Sequence, residues 1–314
     1  PVPLPASLTS IGTLTSVALP VGVVSIGEEA FCSLLRLLLP HHRHLQRAFY
    51  YCSALSSVTL ASVTLPASVT SIGRGAFRSC RSLTSVALPA GVVSIGEDVF
   101  SRCSLTSVTF PVGLPAGLTS IGFHAFANCS SIARVTFAAS LTAINNYAFV
   151  GCSALTSVTL PAGLVSIGIS AFADCSSLAA TTLPAGLTSI GDYAFSGCTS
   201  LASVTLPAGL VSIGISAFAD CSSLAATTLP AGLTSIGDAA FYFCSSLASV
   251  TLPASVTSIG RGAFRSCRSL TSVALPAGVV SIGEDVFSRC SLTSVTFPVG
   301  LTSIGDSAFE GCSA

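Results

Sequence analysis

The chain contains 314 residues, of which 51% are hydrophobic and only 8% charged, and its 12 basic residues balance 12 acidic residues to a formal net charge of zero. A neutral chain has no bulk electrostatic attraction to nucleic acid or to an anionic membrane, so neither is expected as a partner. Ser, Thr, Gly and Pro interrupt each apolar stretch before it reaches about 18 residues, so the sequence predicts no membrane span.

One phrase recurs along the chain with few departures: Ile-Gly, two variable residues, Ala-Phe, two further residues and Cys. The isoleucine of this phrase stands, at a step of 23 residues each time, at Ile121, Ile144, Ile167, Ile190, Ile213, Ile236, Ile259 and Ile282. Self-similarity at such a period is the signature of a solenoid, in which each unit buries its apolar side chains against its neighbours. The sequence therefore predicts one elongated domain with a continuous core.

Each unit predicts two short strands and a turn. The segment from Leu155 to Pro161 reads L-x-x-V-x-L-P, in which the alternating β-branched part predicts a strand that the proline ends. A second short strand is expected up to Ile167, before Gly168. The spacing of Ala171, Phe172 and Cys175 suits one helical or 3-10 turn that buries the phenyl ring and the thiol. Parallel stacking at about 4.8 Å per coil would give a rod roughly 60 Å long.

We assign residues 1–314 to a single solenoid of about 13 coils with three departures from the repeat. The unit at 39–52 is degenerate, because it has lost the Ser-Ile-Gly phrase, and a short duplication at 61–66 and an insertion at 113–116 predict two irregular coils. Residues 60–114 are identical to residues 247–301, which indicates a recent duplication.

The two ends of the chain lack polar capping units. The first coil is truncated, and the sequence stops just after Cys312. Solenoids need caps to keep their terminal apolar surface from water, so we expect either a piece of a longer protein or end-to-end self-association.

The repeated phrase resembles the BspA-type leucine-rich repeats, whose consensus places L-x-x-V-x-L-P before L-x-x-I-x-x-x-A-F-x-x-C. The resemblance runs from about Leu4 to Cys312. It implies an α/β repeat solenoid with the superhelical form of leucine-rich repeats, made mostly of short parallel strands with 3-10 or helical turns. It also implies an extracellular or cell-surface protein that binds or adheres to a protein or glycan, and it brings no catalytic residues.

The outward positions of the first strand in each unit form one candidate ligand face. They are mostly Ser, Thr and Ala, and we select Thr109, Arg134, Thr136, Ser157, Thr159, Ser203, Thr205, Ser249 and Thr251. A regular grid of hydroxyls at ladder spacing favours a protein or glycan ligand, or a repeating lattice such as polysaccharide or ice. Strand propensity and solubility alone would also produce it.

Two arginine clusters in the turn segments are candidate basic patches. They comprise Arg74, Arg78 and Arg81, and their duplicates Arg261, Arg265 and Arg268. They would either bind an acidic partner, such as a sulfated glycan, or form a solubilising edge that pairs with acidic residues of the adjacent coil.

Enzymatic chemistry finds no support in the sequence. The cysteines recur singly, without a C-x-x-C pair, and are expected to form a buried, reduced ladder of thiols. The cluster of His41, His42 and His44 has imidazoles that can ligate a transition metal, but Arg43 and Arg47 oppose a cation there, and a loop excursion in a degenerate coil is the favoured interpretation. No recurring base or acid accompanies His124. We therefore expect a non-catalytic protein without cofactor or metal.

Overall fold

Each repeat unit folds into one coil with two short parallel β-strands. The computed structural model describes residues 16–19, 22–27, 61–110 and 117–312, which contain 12 such pairs of strands. The first strands of the pairs, three residues each, are β1 Ser16–Ala18, β3 Ser62–Thr64, β5 Ser85–Ala87, β7 Ser107–Thr109, β9 Arg134–Thr136, β11 Ser157–Thr159, β13 Ala180–Thr182, β15 Ser203–Thr205, β17 Ala226–Thr228, β19 Ser249–Thr251, β21 Ser272–Ala274 and β23 Ser294–Thr296.

The second strands of the pairs, two residues each, lie on another side of the coil. They are β2 Ser25–Ile26, β4 Ser71–Ile72, β6 Ser94–Ile95, β8 Ser120–Ile121, β10 Ala143–Ile144, β12 Ser166–Ile167, β14 Ser189–Ile190, β16 Ser212–Ile213, β18 Ser235–Ile236, β20 Ser258–Ile259, β22 Ser281–Ile282 and β24 Ser303–Ile304.

Equivalent residues of successive coils pair in register. Strands β7 to β19 form one parallel sheet of seven odd-numbered strands, and β2 to β20 form one of ten even-numbered strands. Val158, for example, pairs with Val135 and Thr181, while Ile167 pairs with Ile144 and Ile190. The repeat length thus equals one full turn of the chain, which confirms the predicted parallel solenoid.

The irregular units disturb the ladder less than the sequence suggests. Residues 61–66 contain β3, which pairs in register with both β1 and β5. Ile95 still pairs with Ile121 although the insertion at 113–116 lengthens this unit. That insertion and the degenerate unit at 39–52 lie outside the described residues, and the count of about 13 coils over residues 1–314 stays a prediction.

The prediction of a helical or 3-10 turn is wrong. The described ranges contain neither kind of helix, and the segment from Ala171 to Cys175 forms hydrogen-bonded turns. Its backbone N–H groups alternate between two acceptors: Ala171 donates to Gly168, three residues earlier, at 3.3 Å, whereas Phe172 donates to Ala194 of the next coil at 2.8 Å. A helix would use these N–H groups within the segment, so the bonds between coils exclude it.

Residues with left-handed backbone conformations produce this alternation of the N–H groups between acceptors in the same coil and in the next coil. Ser170 and Asp174 have φ angles of 51° and 59°, and the equivalent positions of the other coils are also left-handed or occupied by glycine. Such angles lie outside the right-handed helical region and turn the chain so that alternate peptide groups face the next coil.

Stacked phenylalanines fill the centre of the solenoid. Along the array, consecutive rings lie 5.1–5.6 Å apart between centroids and are nearly parallel. The fully buried members of the stack are Phe77, Phe100, Phe126, Phe149, Phe172, Phe195, Phe218, Phe241, Phe264 and Phe287. Because each ring packs against the ring of the coil before and after it, no coil has a core of its own.

The cysteines stand beside this stack as buried hydrogen-bond donors. Ten of the eleven described cysteines are buried, which confirms that they are internal. The Cys198 thiol donates to the Phe172 carbonyl of the preceding coil at 3.3 Å, and the same bond recurs along the array. Burial raises the pKa of Cys129 and Cys221 to about 12, so these thiols stay protonated at neutral pH.

Candidate functional site: two exposed surfaces

The first surface is a column of exposed threonines on the odd-numbered strands. In these strands the central residue points into the core and both flanking residues are exposed. Register brings together, in seven successive strands, Thr109, Thr136, Thr159, Thr182, Thr205, Thr228 and Thr251. We call this set the threonine column, and its neighbours are about 4.8 Å apart along the ladder.

A second column runs beside the threonines with a more mixed composition. It contains the predicted Arg134, Ser157, Ser203 and Ser249, together with Ser107, Ala180 and Ala226. The structure thus brings all nine predicted residues of the ligand face onto one face of the parallel sheet. In the described part of the chain no protein group hydrogen-bonds to the hydroxyls of the threonine column, so they are available to water or a ligand.

The basic patches pair with acidic residues of the adjacent coil. In the first copy of the duplicated sequence, Arg74 lies 3.4 Å from Glu97, and Arg78 lies 3.3 Å from Asp98. In the second copy the corresponding distances are 2.7 Å for Arg261 and Glu284 and 2.9 Å for Arg265 and Asp285. These pairs neutralise much of the positive charge that an acidic partner would need.

The remaining two arginines of the patches are exposed. Arg81 and Arg268 occupy equivalent positions, and the Arg268 guanidinium lies 5.5 Å from the centroid of the Phe243 ring. Binding of an anionic partner by the patches stays a prediction.

The second surface is an apolar strip on the turn edge that sequence reasoning missed. Two variable residues follow the Ile-Gly phrase, or its Ile-Asn equivalent, and in five successive coils at least one of the two is large and apolar or aromatic. We call these side chains the turn-edge strip: Phe123, His124, Tyr147, Ile169, Tyr193 and Ile215, which alternate or stand beside the polar Asn146, Ser170, Asp192 and Ser216. The exposed fractions of Ile169, Tyr193 and Ile215 are 37%, 45% and 42%. Phe123, His124 and Tyr147 are half-buried. Adjacent apolar side chains at a surface can mark a binding site.

Aromatic contacts and backbone bonds hold the strip together. The Phe123 ring lies 5.3 Å from the Tyr147 ring, and the His124 ring lies 4.8 Å from it. The N–H of Tyr147 donates to Ile169 at 2.8 Å, and that of Tyr193 donates to Ile215 at 2.7 Å. The strip was missed because its residues fall at the variable positions of the repeat. Aligning those positions across the units would have revealed it.

The described residues give no support for a catalytic or metal centre. In the described ranges no three His, Cys, Asp or Glu residues come together in a way that holds a metal ion. His124 packs on aromatic rings of the strip, and the cluster of His41, His42 and His44 lies outside the described residues. Over the same ranges, no helix has the length and apolar character needed to cross a membrane.

The comparison with protein families finds one match. The model of the BspA-type leucine-rich repeat region matches residues 45–115, 112–210 and 188–314, with six copies. No curated protein matches the sequence of this chain.

Solved structures share the architecture. A leucine-rich repeat protein from Bacteroides ovatus is 28% identical, with a TM-score of 0.62, and the match covers 95% of this chain and 84% of that chain. A leucine-rich repeat protein of T. pallidum is 38% identical, with a TM-score of 0.50, over 54% of this chain and 80% of that one. The pneumococcal vaccine antigen PcpA is 23% identical, with a TM-score of 0.50, over 79% and 68%, which shows the fold alone.

Proposed function

Because this chain belongs to the BspA-type leucine-rich repeat family, we propose that it is a non-catalytic binding protein, extracellular or exposed at a cell surface, that recognises a protein or glycan ligand. The observation that carries the proposal is the in-register face formed by the threonine column and the column beside it. Its backbone is fixed by in-register hydrogen bonds through seven strands. The backbone of this face is therefore already ordered before a ligand binds, so binding costs little backbone conformational entropy.

The test replaces threonines of this face by a long charged side chain. The double variant Thr159→Arg, Thr205→Arg places two arginines on the exposed face, and the matched control, Thr142→Arg, Thr188→Arg, changes exposed threonines outside it. Both are screened for binding to immobilised host matrix proteins and glycans. We expect the first to lose affinity about 10-fold or more for the ligand that wild type binds, and the control to retain it. Equal binding by both variants contradicts a ligand on this face.

A second candidate function is attachment to a repeating lattice. The regular step of the threonine column supports it, because identical hydroxyls repeat at about 4.8 Å over seven strands. The measurements are an ice-recrystallisation assay and co-sedimentation with crystalline polysaccharide, with the two double variants as comparison. Activity that survives the arginines on the threonine column contradicts lattice binding by this face.

Self-association is proposed for the apolar surface at the last described coil. There Phe297 and Ile304 are 46% and 52% exposed, whereas Phe110, which has the same place in the duplicated sequence as Phe297, is buried. Light scattering over a concentration series measures it. We expect a mass that rises with concentration, and a constant monomer mass contradicts association through this surface.

A further inference from the structure

The turn-edge strip differs from the coils on either side of it. On one side, Glu97 and Asp98 occupy the corresponding turn and pair with arginines, and on the other side Arg261 and Glu284 pair with each other. Six coils lie between these ion pairs: the first five present the aromatic and aliphatic side chains of the strip, and the sixth carries Asp238 and Ala239. The strip is thus an apolar, nearly uncharged surface about 19 Å long, since four coil steps separate Phe123 from Ile215.

Two tyrosines of the strip occupy backbone positions that disfavour them. Tyr147 and Tyr193 have φ angles of 60° and 57°. A bulky side chain is disfavoured in this left-handed region, whereas glycine is not, and glycine stands at the equivalent Gly75 and Gly262. The tyrosines therefore lower the stability of their own turns. The same left-handed angle occurs at the equivalent Ser170 and Ala239, so the conformation belongs to the repeat and does not by itself distinguish the tyrosines.

Each tyrosine has a fixed polar neighbour. The Asn146 Oδ1 accepts a hydrogen bond from the N–H of Ile169 at 2.9 Å, and the Asp192 Oδ1 accepts one from the N–H of Ile215 at 2.7 Å. These bonds anchor one end of each side chain. They leave the amide NH₂ of Asn146 and the second carboxylate oxygen of Asp192 for a ligand.

The last four of the five coils of the strip alternate with a period of two coils, whereas the first, with Phe123 and His124, is aromatic like the coil that follows it. The turns of these four coils carry Asn146 and Tyr147, then Ile169 and a serine, then Asp192 and Tyr193, then Ile215 and a serine. The two turns that combine a tyrosine with an amide or carboxylate, at Asn146 and Asp192, therefore lie about 9.6 Å apart along the solenoid axis.

We propose that the turn-edge strip binds a neutral, extended glycan of β-1,4-linked sugars that lies along the solenoid axis. This inference depends on the proposed binding function but places a site on a different surface. One sugar of such a chain advances by about the rise of one coil, and successive sugars are rotated by about half a turn, which matches the two-coil alternation.

The chemistry of the strip fits this ligand. The C–H faces of pyranose rings pack on aromatic side chains, and their hydroxyls hydrogen-bond to the free groups of Asn146 and Asp192. Among the variable turn residues of these five coils Asp192 is the only carboxylate and there is no arginine, while Arg74 and Arg261 beyond them are paired with glutamates. A sulfated or otherwise anionic glycan would find no unpaired cation within the strip, so a neutral chain is the better complement.

The experiment measures binding of β-1,4-linked glucose and N-acetylglucosamine oligosaccharides, from disaccharide to hexasaccharide. The chain contains 5 tyrosines and no tryptophan, so tyrosine fluorescence reports on the site, and calorimetry gives the affinity. The variants are Tyr147→Ser and Tyr193→Ser. Serine is the residue at the equivalent positions 170 and 216, so both variants should fold. The matched control is Tyr242→Ser, a partly buried tyrosine outside the strip.

We expect affinity to rise from di- to tetrasaccharide and then level off, because about four sugars span the strip. Each strip variant should bind about 5-fold more weakly or worse, while Tyr242→Ser binds as wild type does. Three results would overturn the inference: no binding of either hexasaccharide, binding that both tyrosine variants retain, or binding that only the arginines on the threonine column abolish. After any of these results the proposed function still stands if a protein or another glycan binds the threonine face. If wild type binds no protein and no glycan, the proposed function and the inference fail together.

Discussion

The buried thiols predict that the solenoid unfolds in mildly alkaline solution. Burial, which disfavours the charged thiolate, raises the pKa of eight cysteines. In the unfolded chain each of them titrates near pH 8.5. The folded state therefore keeps protons that the unfolded state releases. Its stability is full below about pH 8.5 and falls as the pH rises from there towards the folded-state pKa values.

The size of the effect follows from the number of thiols. At pH 10 the same thiol is ionised in the unfolded chain but protonated in the folded one. Each such thiol therefore lowers the free energy of unfolding by between about 1 and 2 kcal/mol. Eight such thiols lower the free energy of unfolding by an amount on the order of 10 kcal/mol, comparable with the whole stability of an ordinary domain.

Urea unfolding followed by far-ultraviolet circular dichroism, with a phosphine reductant present, measures this loss at pH 7, 8, 9 and 10. We expect the midpoint to be constant up to about pH 8 and to collapse by pH 10. In Cys221→Ala the loss of stability per pH unit should be smaller by about an eighth, because one of eight thiols is gone. A midpoint at pH 10 equal to that at pH 7 would refute the reasoning, since the thiols would then ionise without unfolding the chain.

Three further perturbations test the core and the turns, each by urea unfolding. Replacing Phe195, fully buried and stacked at 5.5 Å on the rings before and after it, by Ala should cost about 3–5 kcal/mol through the cavity left behind, and a change near zero means that the ring is not packed. Thr181→Val should stabilise the fold by about 1–2 kcal/mol, because among the described residues the buried Thr181 hydroxyl has no hydrogen-bond partner. The exposed neighbour, Thr182→Val, is the control, and an equal effect at both sites contradicts the buried-hydroxyl argument. Partial burial and the Asp174 carboxylate raise the pKa of Asp220, so its ionisation lowers stability as the pH rises past the carboxyl range. Asp220→Asn should remove that decline, and an unchanged pH profile between pH 3 and 7 argues against the raised pKa.

The repeated phrase determined much of the fold by itself. A period of 23 residues allows one coil per unit, and a unit of this size cannot enclose its own core, so stacking and the burial of Phe195 and Cys198 follow from the sequence alone. The outward position of Thr159 follows as well, because side chains alternate along a strand while Val158 must face inward.

The turn and the turn-edge strip depended on contacts between coils. The spacing of Phe172 and Cys175 is compatible with a helical turn, and only the hydrogen bond from Phe172 to the next coil excludes it. In the same way, Tyr147 and Tyr193 belong to different units, and they come onto one surface only when the coils stack in register.

The duplicated segment shows most clearly what the local sequence and the stacking of coils each contribute to burial. Phe110 and Phe297 have the same local sequence, yet Phe110 is 1% exposed and Phe297 is 46% exposed. Phe110 packs against Phe126 of its own unit and Phe137 of the next, whereas Phe297 contacts Phe309 of its own unit. The sequence of a unit determines which side chains face inward. Stacking of the neighbouring coils decides which of them are buried, because the apolar surface of one coil leaves water only when the next coil covers it.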